Sequence, residues 1–435
     1  MKIPSRRGFL FTTTAAVVAS RALPVLGANE RINVALIGIG GRGQDHLQEY
    51  SRQPNCSIAA VCDVNQAARE RAVAFVERAQ GHKPKTYTDM RQVFEDREIH
   101  AVSFATPNHW HALGTIWACQ AGKDVYVEKP ACHNIFEGRK MIEAARKYKR
   151  MVQVGSQGRS QGHKRKAVEA LAQGIIGQVY EAKGLCFNPR KSIGHTPDTP
   201  VPPGIDWDRF LGPAPMRPFS ENRYHYNWHW FWDTGNGDIG NQGAHEMDVA
   251  RWGMQNCGLP THVVSTGGKF VYQDDQETPN TQYAALEYGP TRIVFDVRGL
   301  ITPGEGDVRR GNHFVGNIFF GSEGYLTLDP SGYRVYKGPK RELVDSQKAM
   351  EVGSETAPHV ANFLAAVRSR NYKELNAEVE IGVTSATLCH LANISYRTGR
   401  RLAVDPATWR FVGDEEANQL LTRNYRAPYI VPDAV

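Results

Sequence analysis

Ile32-Asn33-Val34-Ala35-Leu36-Ile37-Gly38-Ile39-Gly40-Gly41-Arg42-Gly43 is the stretch whose reading decides the fold. The apolar run from Ile32 to Ile37 has the length and continuity of a buried strand. Gly38, Gly40 and Gly43 then form a GxGxxG, spaced so that the chain can turn tightly into a helix and bring bare backbone against a pyrophosphate. The helix N-terminus adds amide donors and a favourable dipole. Such glycines alone are weak evidence, and Asp63 strengthens them. It closes the next apolar run, Ser57 to Cys62, twenty residues beyond Gly43, where a carboxylate can accept both ribose hydroxyls and repel a 2′-phosphate. A glycine turn beside a solvated Asp is the bland alternative, and it needs both features to coincide by chance. The cofactor expected is NAD, with NADP disfavoured.

Working outward, Ala101 to Ala105, Asp124 to Val127 and Met151 to Val154 are further short apolar runs, with helical patterns over Gln66 to Gln80, Trp110 to Ala121 and Ile135 to Tyr148 between the runs. Alternation of strand and helix predicts an α/β Rossmann domain with a parallel sheet and a ligand at the carboxyl ends of its strands. After a helix at Lys164 to Gln173 the pattern changes. Gln178–Phe187, His262–Tyr272, Thr281–Tyr288, Thr291–Arg298, His313–Phe320 and Gly324–Leu328 predict an α+β domain on an open, mainly antiparallel sheet. Two late helices, Pro358–Arg368 and Glu378–Thr398, are expected to pack back on the first domain or on that sheet. The division expected is 1–28 leader, 29–155 dinucleotide domain and 156–435 substrate and oligomerisation domain. Thr196 to Pro218 is proline-rich, and seven of the fourteen residues from Phe219 to Trp232 are aromatic. A loop that long in a compact domain is more often functional than idle.

The first 28 residues carry their own message. Ser5-Arg6-Arg7-Gly8-Phe9-Leu10 sets a twin arginine before a soft apolar stretch and the small residues Gly27 and Ala28, a pattern that resembles a Tat export signal. Export to the periplasm or beyond is therefore expected, or membrane anchoring if the leader is retained. Fifty-two Lys and Arg against 45 Asp and Glu give a formal charge of +7, which falls to about +3 without Lys2, Arg6, Arg7 and Arg21. That excess is too small to point to nucleic acid. No apolar window beyond the leader is long enough to span a bilayer. The seven cysteines are scattered and never spaced CxxC, which indicates neither a zinc cluster nor a disulfide framework.

Two loops place chemistry at the carboxyl edge of the first sheet. Ala105-Thr106-Pro107-Asn108-His109-Trp110-His111 and Val127-Glu128-Lys129-Pro130 each follow a strand, so Thr106, Pro107, Asn108, His111, Glu128 and Lys129 join Gly38, Gly40, Gly41, Arg42, Gly43 and Asp63 as expected cofactor contacts. With IGIGGRG and VCDV, the ATPNHWH and VEKP motifs resemble the glucose-fructose oxidoreductase, inositol dehydrogenase and rhizopine-catabolism (Gfo/Idh/MocA) family. The resemblance covers nearly the whole chain beyond the leader and implies catalysis at Lys129 on a substrate hydroxyl or carbonyl. The physics agrees, since an ammonium partly desolvated beside a cationic ring has its pKa lowered toward working range. Family members often have a cis peptide before the proline.

A second motif, Gly235-Asn236-Gly237-Asp238-Ile239-Gly240-Asn241-Gln242-Gly243-Ala244-His245, is similar to the family's GGGxLxDxGxH pattern. His245 matches its histidine and suits a general base. Asn241 stands where the family commonly has Asp, so an amide that can bind a hydroxyl but not take its proton leaves acid-base work to His245 and Lys129. Asp248, one turn on, is placed to orient the imidazole. Tyr226, Trp232, Asn241, Gln242, His245 and Lys129 are the expected substrate contacts. The aromatic run around Tyr226 reads equally as a sugar platform or as core. His109, His111, His225, His229, His245 and Asp248 could ligate a metal, but none has HExxH context and no metal is expected.

Export and a nicotinamide site together carry a consequence: outside the cytoplasm there is no free pool, so the cofactor must travel bound and be restored in each cycle. The resemblance then implies an NAD-dependent oxidoreductase of a sugar, polyol or sugar derivative with tightly held cofactor. A redox-neutral glycosidase, lyase or epimerase working by transient oxidation is the alternative, and a non-catalytic sugar-binding protein is a third reading, favoured only by Asn241. A homodimer or homotetramer is expected through an open sheet face carrying Arg292, Val294 and Asp296.

Overall fold

The computed structural model describes residues 31–350 and 354–435; the twin-arginine leader lies outside the described residues. Strands β1 (Ile32–Ile37), β2 (Cys56–Cys62), β3 (Lys85–Tyr87), β4 (Ala101–Phe104), β5 (Asp124–Val127) and β6 (Val152–Val154) make a six-stranded sheet in the order β3-β2-β1-β4-β5-β6. Every pair in it is parallel. The apolar runs are continuous because both faces are covered. Val34 and Leu36 of β1 pack with Ala72, Val76 and Phe363 on one side, while Ala35 and Ile37 meet the cluster of Leu113 and Ile116 on the other. Strand order reverses between β1 and β4, and that switch point opens a crevice beyond their carboxyl ends. Asn65 starts the helix Gln66–Gln80 by accepting the Ala68 N–H, and Gly81 ends it at φ +75°.

Chain order in the second sheet continues with β7 (Val179–Phe187), β8 (His262–Gly268), β9 (Thr281–Tyr288), β10 (Thr291–Arg298), β11 (Phe314–Gly321), β12 (Gly324–Asp329), β13 (Gly332–Lys337), β14 (Glu342–Lys348), β15 (Leu402–Asp405) and β16 (Arg410–Phe411). The spatial order is β14-β13-β12-β11-β7-β10-β9-β8-β15-β16, antiparallel throughout except for the parallel β7 and β10 pair. β3 and β14 escape a hydrophobic-run reading because they are edge strands with much of their surface exposed, and β13, beside β14, escapes it because its buried Gly332, Tyr333 and Val335 are interrupted by Arg334. β8 stops at Gly268, short of Tyr272.

The late helices separate in role. Ala357–Ser369 adds Val360, Phe363 and Leu364 to the first core, whereas Val379–Thr398 puts Val379 and Val383 into the first core and Leu388 and Leu391 into the second. One long helix thus pins the two sheets together. Tyr429 and Val431 also return to the first core.

The face carrying Arg292, Val294 and Asp296 differs from the expectation of an uncovered surface. Val294 is only 2% exposed and Asp296 3%. Asp296 holds Arg298 at 2.9 Å and lies 4.0 Å from Lys183, which reaches on to Glu305 at 2.5 Å. Side chains of the same chain therefore cover this part of the sheet. Tyr283 and Val264 remain exposed on neighbouring strands. Among the described residues no helix is long and apolar enough to cross a membrane.

Candidate active site

A cleft of about 920 Å³ runs from the glycine turn, past the ends of β4 and β5, to the helix Gly243–Gly253 of the second domain. At its first end the glycines divide their work. Gly38 has φ +83°, and a Cβ there would stand 2.8 Å from the Ala105 backbone. Gly43 lies beneath the turn and does not line the cleft; a Cβ on it would come within 2.1 Å of the Gly38 carbonyl oxygen. It serves the close packing of helix on strand. Gly40 and Gly41 face open space, and the helix Gly41–Arg52 has no side chain capping its N-terminus. Bare amides over empty room at a helix start are a cradle for an anion such as a pyrophosphate. The residues present fit a dinucleotide.

Asp63 lines the cleft where the sequence reading places it. Its two oxygens accept the Ile39 N–H at 2.5 Å and the Asn65 N–H at 2.8 Å, which aims the carboxylate into the crevice. Burial raises its pKa against those two bonds. The proline-rich segment closes this end. Its backbone pairs with the first domain through Gln66 N–H to Gly204 and Asp206 N–H to Val64, and the rings of Trp207 and Phe210 stack 4.8 Å apart above Tyr224. No sequence signal announced that role beyond the loop's length.

Arg42 lines the cleft, where it is an expected cofactor contact, and its guanidinium is also held by groups of the chain itself. Its Nε donates to Glu128 at 2.9 Å and its other nitrogens to Asp45 and Thr356. Glu128 Oε1 also meets His46 at 3.0 Å and the Gln157 amide at 2.9 Å. Burial works against the Glu128 charge, but Arg42, His46 and Lys129 outweigh it and hold the carboxyl well below its ordinary range. His111 lies between the two loops, one ring nitrogen 2.7 Å from the Pro130 carbonyl and the other 2.9 Å from that of Thr106, and so ties them together. Asn108 donates to Asn236, linking the domains. Thr106 and Pro107 line the cleft, and the Thr106 hydroxyl is buried with no hydrogen-bond partner among the described residues.

At the far end the two domains meet over Lys129. The Lys129-Pro130 peptide is cis, as in the family expectation. The ammonium donates to the Asn241 backbone oxygen at 3.1 Å and to its Oδ1 at 3.3 Å. Burial lowers the Lys129 pKa, with Arg42 acting in the same sense and Glu128 against it. Asn241 in turn donates to the Tyr226 hydroxyl at 2.8 Å. His245 lines the same space; burial, reinforced by Lys129, pushes its pKa well below the usual imidazole range and leaves a neutral base. Gln242 completes the wall.

Asp248 does not orient His245: it is gripped by Arg159 with bonds of 2.8 to 3.0 Å and by Ser385 at 2.7 Å. Trp232 is not among the residues lining the cleft, and its ring lies against the Arg397 guanidinium 5.1 Å away. The aromatic run divides, with Trp230 and Phe231 buried while Tyr226, Trp228 and His229 line the cleft. Glu246 is the residue the sequence reading passed over. It follows His245, lines the cleft, and receives the Gln242 amide at 3.2 Å on both oxygens. Burial pushes its pKa up to about 7 against the pull of Lys164 and Arg310. Among the described residues no three His, Cys, Asp or Glu side chains gather as a metal set.

The fold and site define a two-domain dinucleotide-dependent enzyme. Residues 32–156 match the Gfo/Idh/MocA model for an oxidoreductase family NAD-binding Rossmann fold, and residues 184–264 and 322–431 match its C-terminal alpha/beta domain. The chain belongs to this oxidoreductase family. It is 31% identical over 120 residues to an alpha-N-acetylgalactosaminidase of Shewanella oneidensis, covering 27% of this chain and 26% of that one. A glycosyl hydrolase family 109 protein of Saccharopolyspora erythraea is 27% identical over 218 residues, covering 49% and 42%. The match to the first of these curated relatives spans about a quarter of their length. Among solved structures, the WlbA dehydrogenase of Bordetella pertussis with NADH and UDP-GlcNAcA has a TM-score of 0.63 at 18% identity, over 86% of this chain and 98% of that one. A levoglucosan dehydrogenase with NADH and levoglucosan has a TM-score of 0.64 at 16% identity, over 86% and 99%.

Proposed function

We propose that this protein oxidises or reduces a CH–OH carbon of a sugar, polyol or sugar derivative with NAD held tightly in the cleft. The observation that carries the reading is the meeting of Lys129 and His245, from different domains, at the end of a cleft whose other end is the glycine cradle. NAD, when bound, would supply a hydride acceptor at the carbinol carbon. Gly40 and Gly41 would take its pyrophosphate and Asp63 its ribose hydroxyls, which favours NAD over NADP. Lys129 would hold the substrate oxygen and polarise it, and neutral His245 would take the hydroxyl proton. Tyr226, Asn241 and Gln242 would orient the ring. Asn241 anchors the Lys129 ammonium and has no acid-base function of its own, and the presence of both Lys129 and His245 argues against a merely sugar-binding protein.

A second reading has its own support in the glycosidase relatives. Oxidation to a transient ketone, with the hydride kept on bound NAD, would acidify the neighbouring C–H; that proton and the substituent would leave, water would add to the double bond so formed, and return of the hydride would restore the alcohol with no net redox change. The twin-arginine leader, and the export to the periplasm or beyond that it implies, favours a cofactor carried with the folded protein. It thereby favours either exchange between two sugars or this internal route.

The test is to denature purified protein and analyse the nucleotide released, then incubate the native enzyme with sugars and glycosides without added cofactor. NAD in the supernatant supports the proposal; an empty protein without affinity for NAD, or one preferring NADP, defeats it. With a glycoside in deuterated water, label at a ring carbon beside the oxidised position identifies the internal route. Release of stoichiometric NADH from free NAD excludes both redox-neutral schemes.

A further inference from the structure

Two cations at the substrate end of the cleft are not needed by the chemistry above. Lys164, in the first turn of the helix Gly162–Ala172, lies half-buried over Gly158, where even a Cβ would come within 3.3 Å of its ammonium. It has no hydrogen bond or ion pair among the described residues. Arg310 enters from the segment before β11 and spends one nitrogen on the Gln242 side-chain oxygen at 3.0 Å; its others have no partner there. Both line the same wall as His245 and Glu246.

Four carboxylates of this region are already engaged, while Glu355 also lines the cleft. Asp248 is held by Arg159, Asp238 by Arg190 at 2.8 Å and Glu128 by Arg42. Asp329 accepts the Ser331 N–H at 2.7 Å and the Arg309 N–H at 3.1 Å, and lies 3.5 Å from Arg334. Glu246 lies within the field of both cations, and it is held by the Gln242 amide. With Lys129 occupied at the reacting oxygen, Lys164 and Arg310 leave this end of the cleft with surplus positive charge. A partly desolvated ammonium and a guanidinium on one wall form charge-assisted bonds to an anion, and a neutral sugar cannot use them.

Resting on the functional reading above, we propose that the substrate is an acidic sugar, whose carboxylate or phosphate is held between Lys164 and Arg310 while its reacting hydroxyl meets Lys129 and His245. Glu246 is compatible with an anion there because, with its pKa pushed up to about 7, its acid form is available to donate a hydrogen bond.

Calorimetric titration of the protein, with and without saturating NADH, tests this with glucuronate, galacturonate and glucose 6-phosphate against glucose and galactose. At least one acid should bind about tenfold or more tightly than its neutral parent, and which acid does so separates carboxylate from phosphate. Lys164→Met and Arg310→Gln should each shrink that preference to about threefold or less, and Lys164→Arg should keep it. Acids and parents binding alike overturns the proposal, as does failure of every sugar to bind. A preference that survives both substitutions overturns it too, as does a Lys164→Met variant that loses NADH but keeps the preference. A protein that holds NADH without preferring acids defeats this inference alone; one that prefers acids without any affinity for NAD(H) defeats the functional reading instead.

Discussion

Lys129 and His245 line one buried cleft, and the Lys129 charge makes a protonated His245 harder to keep. Burial lowers both pKa values, with Arg42 acting in the same sense on Lys129 and the Lys129 charge on His245, so the ammonium moves toward proton exchange and the imidazole is neutral. Lys129→Ala and His245→Ala should therefore each lower turnover by about a hundredfold or more, while NAD is still recovered from the denatured variants. Initial rates and nucleotide analysis of the same preparations check this; a rate like the wild type's removes that residue from the mechanism. Glu246 has the opposite shift, from 4.5 up to about 7, among Lys164, Arg310, Lys129 and His245. Its folded form keeps a proton that the unfolded chain releases, so its contribution to stability is complete below the unfolded value and is lost as pH rises toward about 7. The effect is on the order of 3 kcal/mol. Melting curves across that window should show the wild type losing more stability with rising pH than Glu246→Gln, and parallel curves would show that the carboxyl titrates normally.

At the scale of single elements, the turn between β1 and its helix separates fold from binding. Gly43→Ala puts a methyl where the Gly38 carbonyl stands, so the helix must lift and the protein should lose about 1–3 kcal/mol. Gly41→Ala meets nothing within 4 Å and should leave the melting temperature nearly unchanged while weakening retention of nucleotide. Denaturant melts and nucleotide occupancy measured on both variants separate the two effects; equal destabilisation would contradict the division of labour. The helix Gly243–Gly253 shows the same economy, presenting His245 and Glu246 to the cleft while Asp248, at its deep wall, pairs with Arg159 and anchors the helix.

Across the whole molecule, the helix Val379–Thr398 and the proline-rich segment decide how the domains face each other. The first supplies apolar side chains to both cores, and the second lends backbone to the rim of the dinucleotide end. The surface expected to join copies is narrower than the strand pattern implies, with Val294 and Asp296 already covered and Tyr283 and Val264 exposed. A dimer or tetramer through the second sheet is still our expectation. Sedimentation of the protein at micromolar concentration should give a mass at least twice that of the chain, and a monomer would refute it.

Five of the six strands of the first domain were legible almost to the residue, because a parallel sheet buried on both faces must be written in continuous apolar runs, while the exposed edge strand β3 and the short helix Met90–Glu95 carry no such run. The glycine turn, Asp63, Lys129 and His245 were legible for a related reason: each depends on its own neighbours in sequence, as a strand end or a helix start. What lay beyond the sequence was pairing across long chain separations. Asp248 is one turn from His245, yet it bonds Arg159 instead, since a buried carboxylate takes the guanidinium that tertiary packing supplies. Arg42 found Glu128, Trp232 turned to Arg397, and Lys164 and Arg310 arrived beside Glu246 from separate elements. Burial set the charge states of Lys129, His245 and Glu246, and burial exists only once both domains have closed on one cleft.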